Sequence, residues 1–217
     1  NINNNRMRKT NLSTLMLLLV LLASSCKQQS MEIFNGKDLS NWEFVLENDG
    51  VTADEVYSVS DGIITIKGEP LGYMYTKEKY RNYTLELEYR WVDNESNSGI
   101  FVLIEEPTNP FPNGIECQLK AGQAGDFVLL GGSDLNEYTL PEGVTERPAF
   151  PVIDKLEASS EKATGEWNKA KIVVLDGSIT VYINDVLQNR ATSNVMEGHI
   201  GLQSEGEAIQ FKDIVIS

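Results

Sequence analysis

The chain has 217 residues, with 32 Asp and Glu against 18 Lys and Arg, for a formal charge of −14. Such an acidic surface repels phosphate backbones and anionic headgroups, which excludes nucleic acid as an electrostatic partner. One histidine and two cysteines provide no zinc-ligand spacing.

The first element in chain order is a leader. Met7-Arg8-Lys9 is a basic start, Leu12 to Leu22 is an apolar run, and Ala23-Ser24-Ser25 are small. These are the three parts of a secretory signal. The run is too short to cross a bilayer, which takes about 20 apolar residues. Cys26, directly after the small residues, resembles the lipidated cysteine of a bacterial lipobox, although Ala23 stands where Leu is commoner. The alternative is a plain leader with an incidental cysteine. The expected organisation is a signal peptide over 1–25, a lipidated tether over 26–31 and one β domain over 32–217. The chain is then exported to the envelope of a Gram-negative bacterium and held to a membrane by a lipid on Cys26. Lys27-Gln28-Gln29-Ser30 is not an acidic surface-export tag, which points to the outer membrane facing the periplasm. Losing Arg6, Arg8 and Lys9 with the leader takes the charge from −14 to −17. The 192 residues after position 25 suit one domain large enough to fold without a disulfide or metal.

Beyond the tether the signals are strand and turn. Val56–Ser60 and Ile63–Lys67 flank Asp61-Gly62, and Ile172–Leu175 and Ser178–Ile183 flank Asp176-Gly177. Asp-Gly between apolar runs predicts a hairpin, because glycine accepts the positive φ of a type I′ turn. Asn184-Asp185 turns the chain again into Val186–Ala191. Tyr83 to Trp91 alternates strictly: Tyr83, Leu85, Leu87, Tyr89 and Trp91 share one face, and Thr84, Glu86, Glu88 and Arg90 the other. Period two over nine residues is a strand with one buried face. Ser98–Ile104, Gly114–Lys120, Asp126–Leu130, Gly198–Ser204 and Ile209–Val215 complete about a dozen short strands. Lys155–Ala163 reads as loop, as do the proline-bearing stretches 105–113 and 131–164. Many short strands at even spacing predict an all-β sandwich or barrel.

Gly114–Lys120 carries the clearest chemistry. As a strand it sets Glu116, Gln118 and Lys120 on one face and Ile115, Cys117 and Leu119 on the other. A carboxylate, an amide and an ammonium in one row offer the donors and acceptors that sugar hydroxyls need. Glu116 can serve as general acid or base, with Lys120 tuning its pKa by charge; the bland alternative is a solvated Glu–Lys pair. Glycosidases usually flank the scissile bond with two carboxylates, and this strand has one. Glu205 is a possible distant partner, though its position also suits a turn carboxylate. Arg90 and Asn97 are weaker candidates for substrate contact. Cys117 reads as a buried thiol and His199 as a packed strand residue. No cofactor is implied. Glu105-Glu106 and Asp93-Asn94-Glu95 leave a divalent cation such as Ca²⁺ open through oxygen ligands, without a dedicated motif.

Six segments in order resemble the 3-keto-disaccharide hydrolase domain family. They are Ile33-Phe34-Asn35-Gly36-Lys37-Asp38-Leu39-Ser40-Asn41-Trp42, Ser58-Val59-Ser60-Asp61-Gly62-Ile63, Asn97-Ser98-Gly99-Ile100-Phe101, Gly165-Glu166-Trp167-Asn168, Tyr182-Ile183-Asn184-Asp185 and Gly198-His199-Ile200-Gly201-Leu202-Gln203. The resemblance implies a concanavalin A-like jelly roll of two antiparallel sheets with the site on a concave face. It also implies action on glycosides oxidised at C3, where the ketone acidifies the C2 proton and the aglycone leaves by elimination. In that picture Glu116 is the base or acid, Gln118 and Lys120 position substrate or stabilise negative charge, and Glu205 assists. The chain departs from the family where Lys120-Ala121-Gly122 replaces an acidic end followed by histidine. It departs again at Ser204-Glu205-Gly206, which stands where Gln-Asp-His-Gly is frequent, and at Val102-Leu103, where Arg is usual. These departures support the alternative, a non-catalytic glycan-binding lipoprotein on the same scaffold.

Overall fold

A computed structural model describes residues 30–217. The expected leader, Cys26 and the expected tether up to residue 29 lie outside the described residues. Among the described residues, fifteen strands and one short helix follow in chain order. The first part of the chain forms β1 (Met31–Glu32), β2 (Trp42–Leu46), α1 (Ala53–Val56), β3 (Tyr57–Ser60), β4 (Ile63–Ile66) and β5 (Gly72–Thr76). The middle forms β6 (Tyr83–Trp91), β7 (Gly99–Ile104), β8 (Gly114–Gln118), β9 (Phe127–Leu130) and β10 (Val152–Ile153). The last part forms β11 (Asn168–Leu175), β12 (Ser178–Ile183), β13 (Val186–Thr192), β14 (His199–Ser204) and β15 (Ile209–Ile216).

The strands form two antiparallel sheets. One runs β13-β12-β11-β6-β15-β4-β3, with β1 also paired to β15; the other runs β10-β9-β8-β7-β14-β5-β2. This is the all-β sandwich that the strand pattern predicts, in the concanavalin A-like jelly-roll form that the family resemblance implies. Both Asp-Gly hairpins form where expected: Asp61 and Gly62 take φ of 52° and 76°, and Asp176 and Gly177 take 46° and 80°. Two positive φ values in succession are the type I′ signature, whose twist matches that of the strands it joins.

The core lies between the sheets. The alternating face of β6 points into it, with Leu85, Leu87 and Tyr89 fully buried, against Ile100, Val102, Ile115, Cys117 and Phe127 of the other sheet. The seven-stranded sheet is buried on its outer face too. There Tyr73, Tyr75, Phe101, Ile104, Val128 and Leu130 form a second apolar cluster, with Phe111 from the 105–113 loop packed on it. Strands buried on both faces lose the alternation that marks a half-exposed strand. For that reason β5, buried at all five positions, escapes a reading by periodicity.

The outer face of the eight-stranded sheet is a charged surface. Arg90 and Lys212 stand over the Trp167 ring at 4.5 and 4.6 Å from its centroid. Lys212 also pairs with Glu88 at 3.0 Å.

Candidate active site

Sheet order brings the polar residues together. Strand β7 separates β8 from β14, so Glu116 and Glu205, far apart in sequence, approach across one intervening strand. The register sets Phe101 opposite Glu116 and Gly99 opposite Gln118 on one side of β7, and Gly201 opposite Phe101 on the other. Asn97 and Glu205 pair as an isolated bridge just beyond the ends of β7 and β14. The result is a cleft of about 280 Å³ on the outer face of the seven-stranded sheet. Asn97, Glu116, Gln118, Lys120, Gln123, Gln203 and Glu205 line its polar part, and Phe111, Val128, Leu130, Phe150 and Val152 the remainder.

Glu116 is 3% exposed. Its Oε1 is buried and has no hydrogen-bonding partner. Burial disfavours the charged form and the neighbouring Glu205 carboxylate adds repulsion, so the Glu116 carboxyl is held well above the usual carboxylate range. Lys120 does not tune it as the sequence reading expected. That side chain is exposed at the strand's end, where water screens its charge, and burial and Glu205 act on Glu116 instead. These surroundings therefore favour the protonated, acid form of Glu116.

The other polar groups are held in fixed orientations. Gln118 Oε1 accepts from the backbone N–H of Leu119 and Lys120 at 3.0 and 2.9 Å, so its amide offers the cleft only its NH₂. Gln203 Nε2 donates to Glu205 Oε2 at 2.7 Å, which fixes the Glu205 carboxylate beside the cleft. Gln203 Oε1 and Asn97 Oδ1 are buried and unpartnered, like Glu116 Oε1. Three unpartnered buried oxygens on one cleft are costly, at about 1–3 kcal/mol each. Donor groups of a ligand, hydroxyls above all, would satisfy them.

Five of the six proposed site residues meet at this cleft: Glu116, Gln118, Lys120, Asn97 and Glu205. Arg90 does not, and its assignment is corrected here. It lies on β6 in the other sheet, on the face turned away from the core. There it donates from Nε to Gln210 Oε1 at 2.8 Å and stacks on Trp167. Cys117 points into the core, where burial pushes its thiol well above the ordinary range, as expected of a packed residue and not a nucleophile. His199 Nδ1 lies 2.7 Å from the Thr76 carbonyl, with the ring edge-on to Tyr75. Among the described residues, no three His, Cys, Asp or Glu side chains cluster as a metal site. The sequence reading missed Phe111 and Phe150, whose rings lie 4.8 Å apart at the cleft. Their signal was present: Pro110-Phe111-Pro112 and Pro148-Ala149-Phe150-Pro151 each hold one aromatic between prolines in a loop.

The sequence model of the 3-keto-alpha-glucoside-1,2-lyase-like domain matches residues 29–217. A 3-keto-disaccharide hydrolase of Bacteroides thetaiotaomicron is 27% identical over 192 residues; the match covers 82% of this chain and 61% of that protein. The chain thus spans under two thirds of that relative's length. Among solved structures, a candidate glycosyl hydrolase from Parabacteroides distasonis superposes with a TM-score of 0.63 at 20% identity, covering 87% of this chain and 98% of that one. The carbohydrate binding module CBM66 from Bacillus subtilis gives 0.60 at 14% identity, covering 83% and 98%. At these identities the two structures establish the shared jelly-roll fold.

Proposed function

The chain belongs to the 3-keto-alpha-glucoside-1,2-lyase-like domain family, and on that premise we propose that it cleaves glycosides oxidised at C3 of the sugar. Glu116 is the acid and Glu205 the base. One observation carries this reading: Glu116 is buried, unpartnered and beside a second carboxylate. Burial that favours the protonated form of one carboxyl suits it to the acid role beside a second carboxylate.

The chemistry follows from the ketone. A carbonyl at C3 makes the C2 proton removable, and the Glu205 carboxylate takes it. The electron pair forms an enolate onto the C3 oxygen, where a donor such as the Gln118 amide or the Lys120 ammonium offsets the charge. As the enolate collapses, the bond from C1 to the aglycone oxygen breaks and Glu116 protonates the departing oxygen. Water then adds across the C1–C2 double bond: its proton goes to Glu116, its oxygen to C1, and the proton held on Glu205 returns to C2. Both carboxyl groups end as they began.

The unpartnered Asn97 and Gln203 oxygens support a carbohydrate as the ligand, since they accept from hydroxyls. The same proposal places the chain in the cell envelope on a lipid-modified Cys26. That part rests on the basic, apolar and small-residue succession over residues 7–26.

The test is incubation of the protein with 3-keto glycosides and their unoxidised parents, with and without chelator, alongside Glu116→Gln. Aglycone release from the keto compounds alone, lost in the variant, is the expected result. Saturable binding without turnover of any compound would overturn it in favour of a glycan-binding protein.

A further inference from the structure

We propose that the β9–β10 side of the cleft is an aglycone subsite built for an aryl group and not for a second sugar. This rests on the reading above that the sugar occupies the polar side, against Glu116, Gln118 and Gln203. The cleft is divided by strand. Its polar groups stand on β8 and β14, just before β7 and in the turns that follow β8 and β14, whereas β9 contributes Val128 and Leu130 and β10 contributes Val152. Phe111 and Phe150 complete that side from the flanking loops, with rings tilted 55° to each other. None of these five side chains carries a polar atom. From β8 to β10 is two strand spacings, about 10 Å, so the change in character falls within reach of one glycoside.

The choice of occupant follows from hydrogen bonding. A second sugar laid on this side would bring hydroxyls against Val, Leu and Phe with no partner for them. A buried hydroxyl left without a partner costs about tenfold or more in affinity. An aryl group has nothing to leave unpaired and gains from the apolar surface it covers. Tyr and Trp, which offer a polar handle to a bound sugar, are absent from this wall.

The wall is also preset. Phe111 and Phe150 each precede a proline, which confines their backbone to extended conformations. Phe111 N–H donates to Asn109 Oδ1 at 2.9 Å. The carbonyl of Pro151 accepts from Leu129 N–H at 2.9 Å, anchoring the segment directly after Phe150 to β9. Phe150 nonetheless keeps 44% of its surface exposed, and a ligand can cover that surface with little loss of side-chain freedom.

The experiment compares phenyl α-glucoside with maltose, and their β-linked counterparts, each as parent and as 3-keto compound. Dissociation constants are measured by calorimetry and turnover is followed separately. The aryl compound is expected to bind at least tenfold more tightly than the disaccharide, and Phe150→Ala to shrink that ratio about tenfold. Val152→Thr, which adds a hydroxyl at nearly constant volume, should shrink it by a few fold. Melting curves confirm that both variants fold. Equal affinity for the two classes, or equal loss of both in Phe150→Ala, overturns the subsite even if the keto compounds turn over. An aryl preference that depends on Phe150, without turnover of any keto compound, upholds the subsite and removes the proposed chemistry.

Discussion

The carboxyl group of Glu116 occupies the space that a side chain at position 99 would fill. A Cβ built on Gly99 would collide with Glu116 Oε1 and lie 2.7 Å from its Cγ. The two residues are diagonal neighbours across the β7–β8 ladder, since Gly99 faces Gln118 and Phe101 faces Glu116. The glycine is thus what allows the carboxyl to lie flat against the sheet, out of water, and that burial favours its protonated form.

Gly99→Ala should therefore move the acid and spare the fold. The three nearest atoms to the added methyl all belong to Glu116, and a glutamate can rotate away. We expect kcat to fall about 10²-fold, the scale of an ångström-sized misplacement, with the melting temperature little changed. The same substitution made on Glu116→Ala should leave stability unaltered, and a large further loss in that double variant would show that Gly99 serves some other contact.

Glu116→Gln should cost activity and add stability. Removing a general acid lowers the rate about 10²- to 10⁴-fold. The stability effect follows from the sign of the pKa shift. A carboxyl raised in the folded state binds its proton more tightly there, so its contribution is fully present below the unfolded pKa. It is lost as pH rises through the folded value. Glutamine has no proton to lose. Melting temperatures of the two proteins should converge near pH 4 and separate at pH 8, with the variant higher. Parallel curves across that range would argue against a protonated Glu116.

Glu205 both repels the charge on Glu116 and faces the same cleft. Glu205→Gln should lower the Glu116 titration midpoint, because one of the two influences raising it disappears, and should abolish proton abstraction. Carbon NMR of labelled glutamate carboxyls would read the first effect apart from the second. Gln203→Leu leaves the charge but removes the 2.7 Å bond that aims Glu205. It should reduce kcat more than it moves the midpoint.

Arg90→Ala tests the corrected assignment. The variant loses the stacking on Trp167 and the bond to Gln210, worth about 0.5–1 kcal/mol and about 1 kcal/mol respectively. A melting temperature lowered by several degrees with unchanged kcat and KM is expected. A rise in KM would return Arg90 to the substrate.

Where one face of a strand meets solvent, sequence and structure agree closely. Tyr83–Trp91 is predicted and observed with the same bounds, and both Asp-Gly turns lie where their backbone demands. Strand β5 went unread because Tyr73, Met74 and Tyr75 are buried on both faces, which leaves no period to detect. Strands β1 and β10 are two residues long and exist only through their partners. At the site, Glu116 and Gln118 were legible because one strand carries both. Glu205 reaches them only through the β8-β7-β14 order, a non-local pairing that local periodicity does not encode. Arg90 was misplaced for a related reason: alternation told which residues share its face, and not that this face belongs to the other sheet.

The first and last strands of the described chain lie side by side, Met31 pairing with Ile216 and Glu32 with Val215. Both belong to the sheet that does not carry the cleft. A short peptide joining these ends, with the chain reopened between Asp176 and Gly177, would give a circular permutant in which every strand of the cleft-bearing sheet keeps its partners. The cleft is in that sense independent of this choice of chain ends, and the sandwich is suited to being carried as a module within a longer chain.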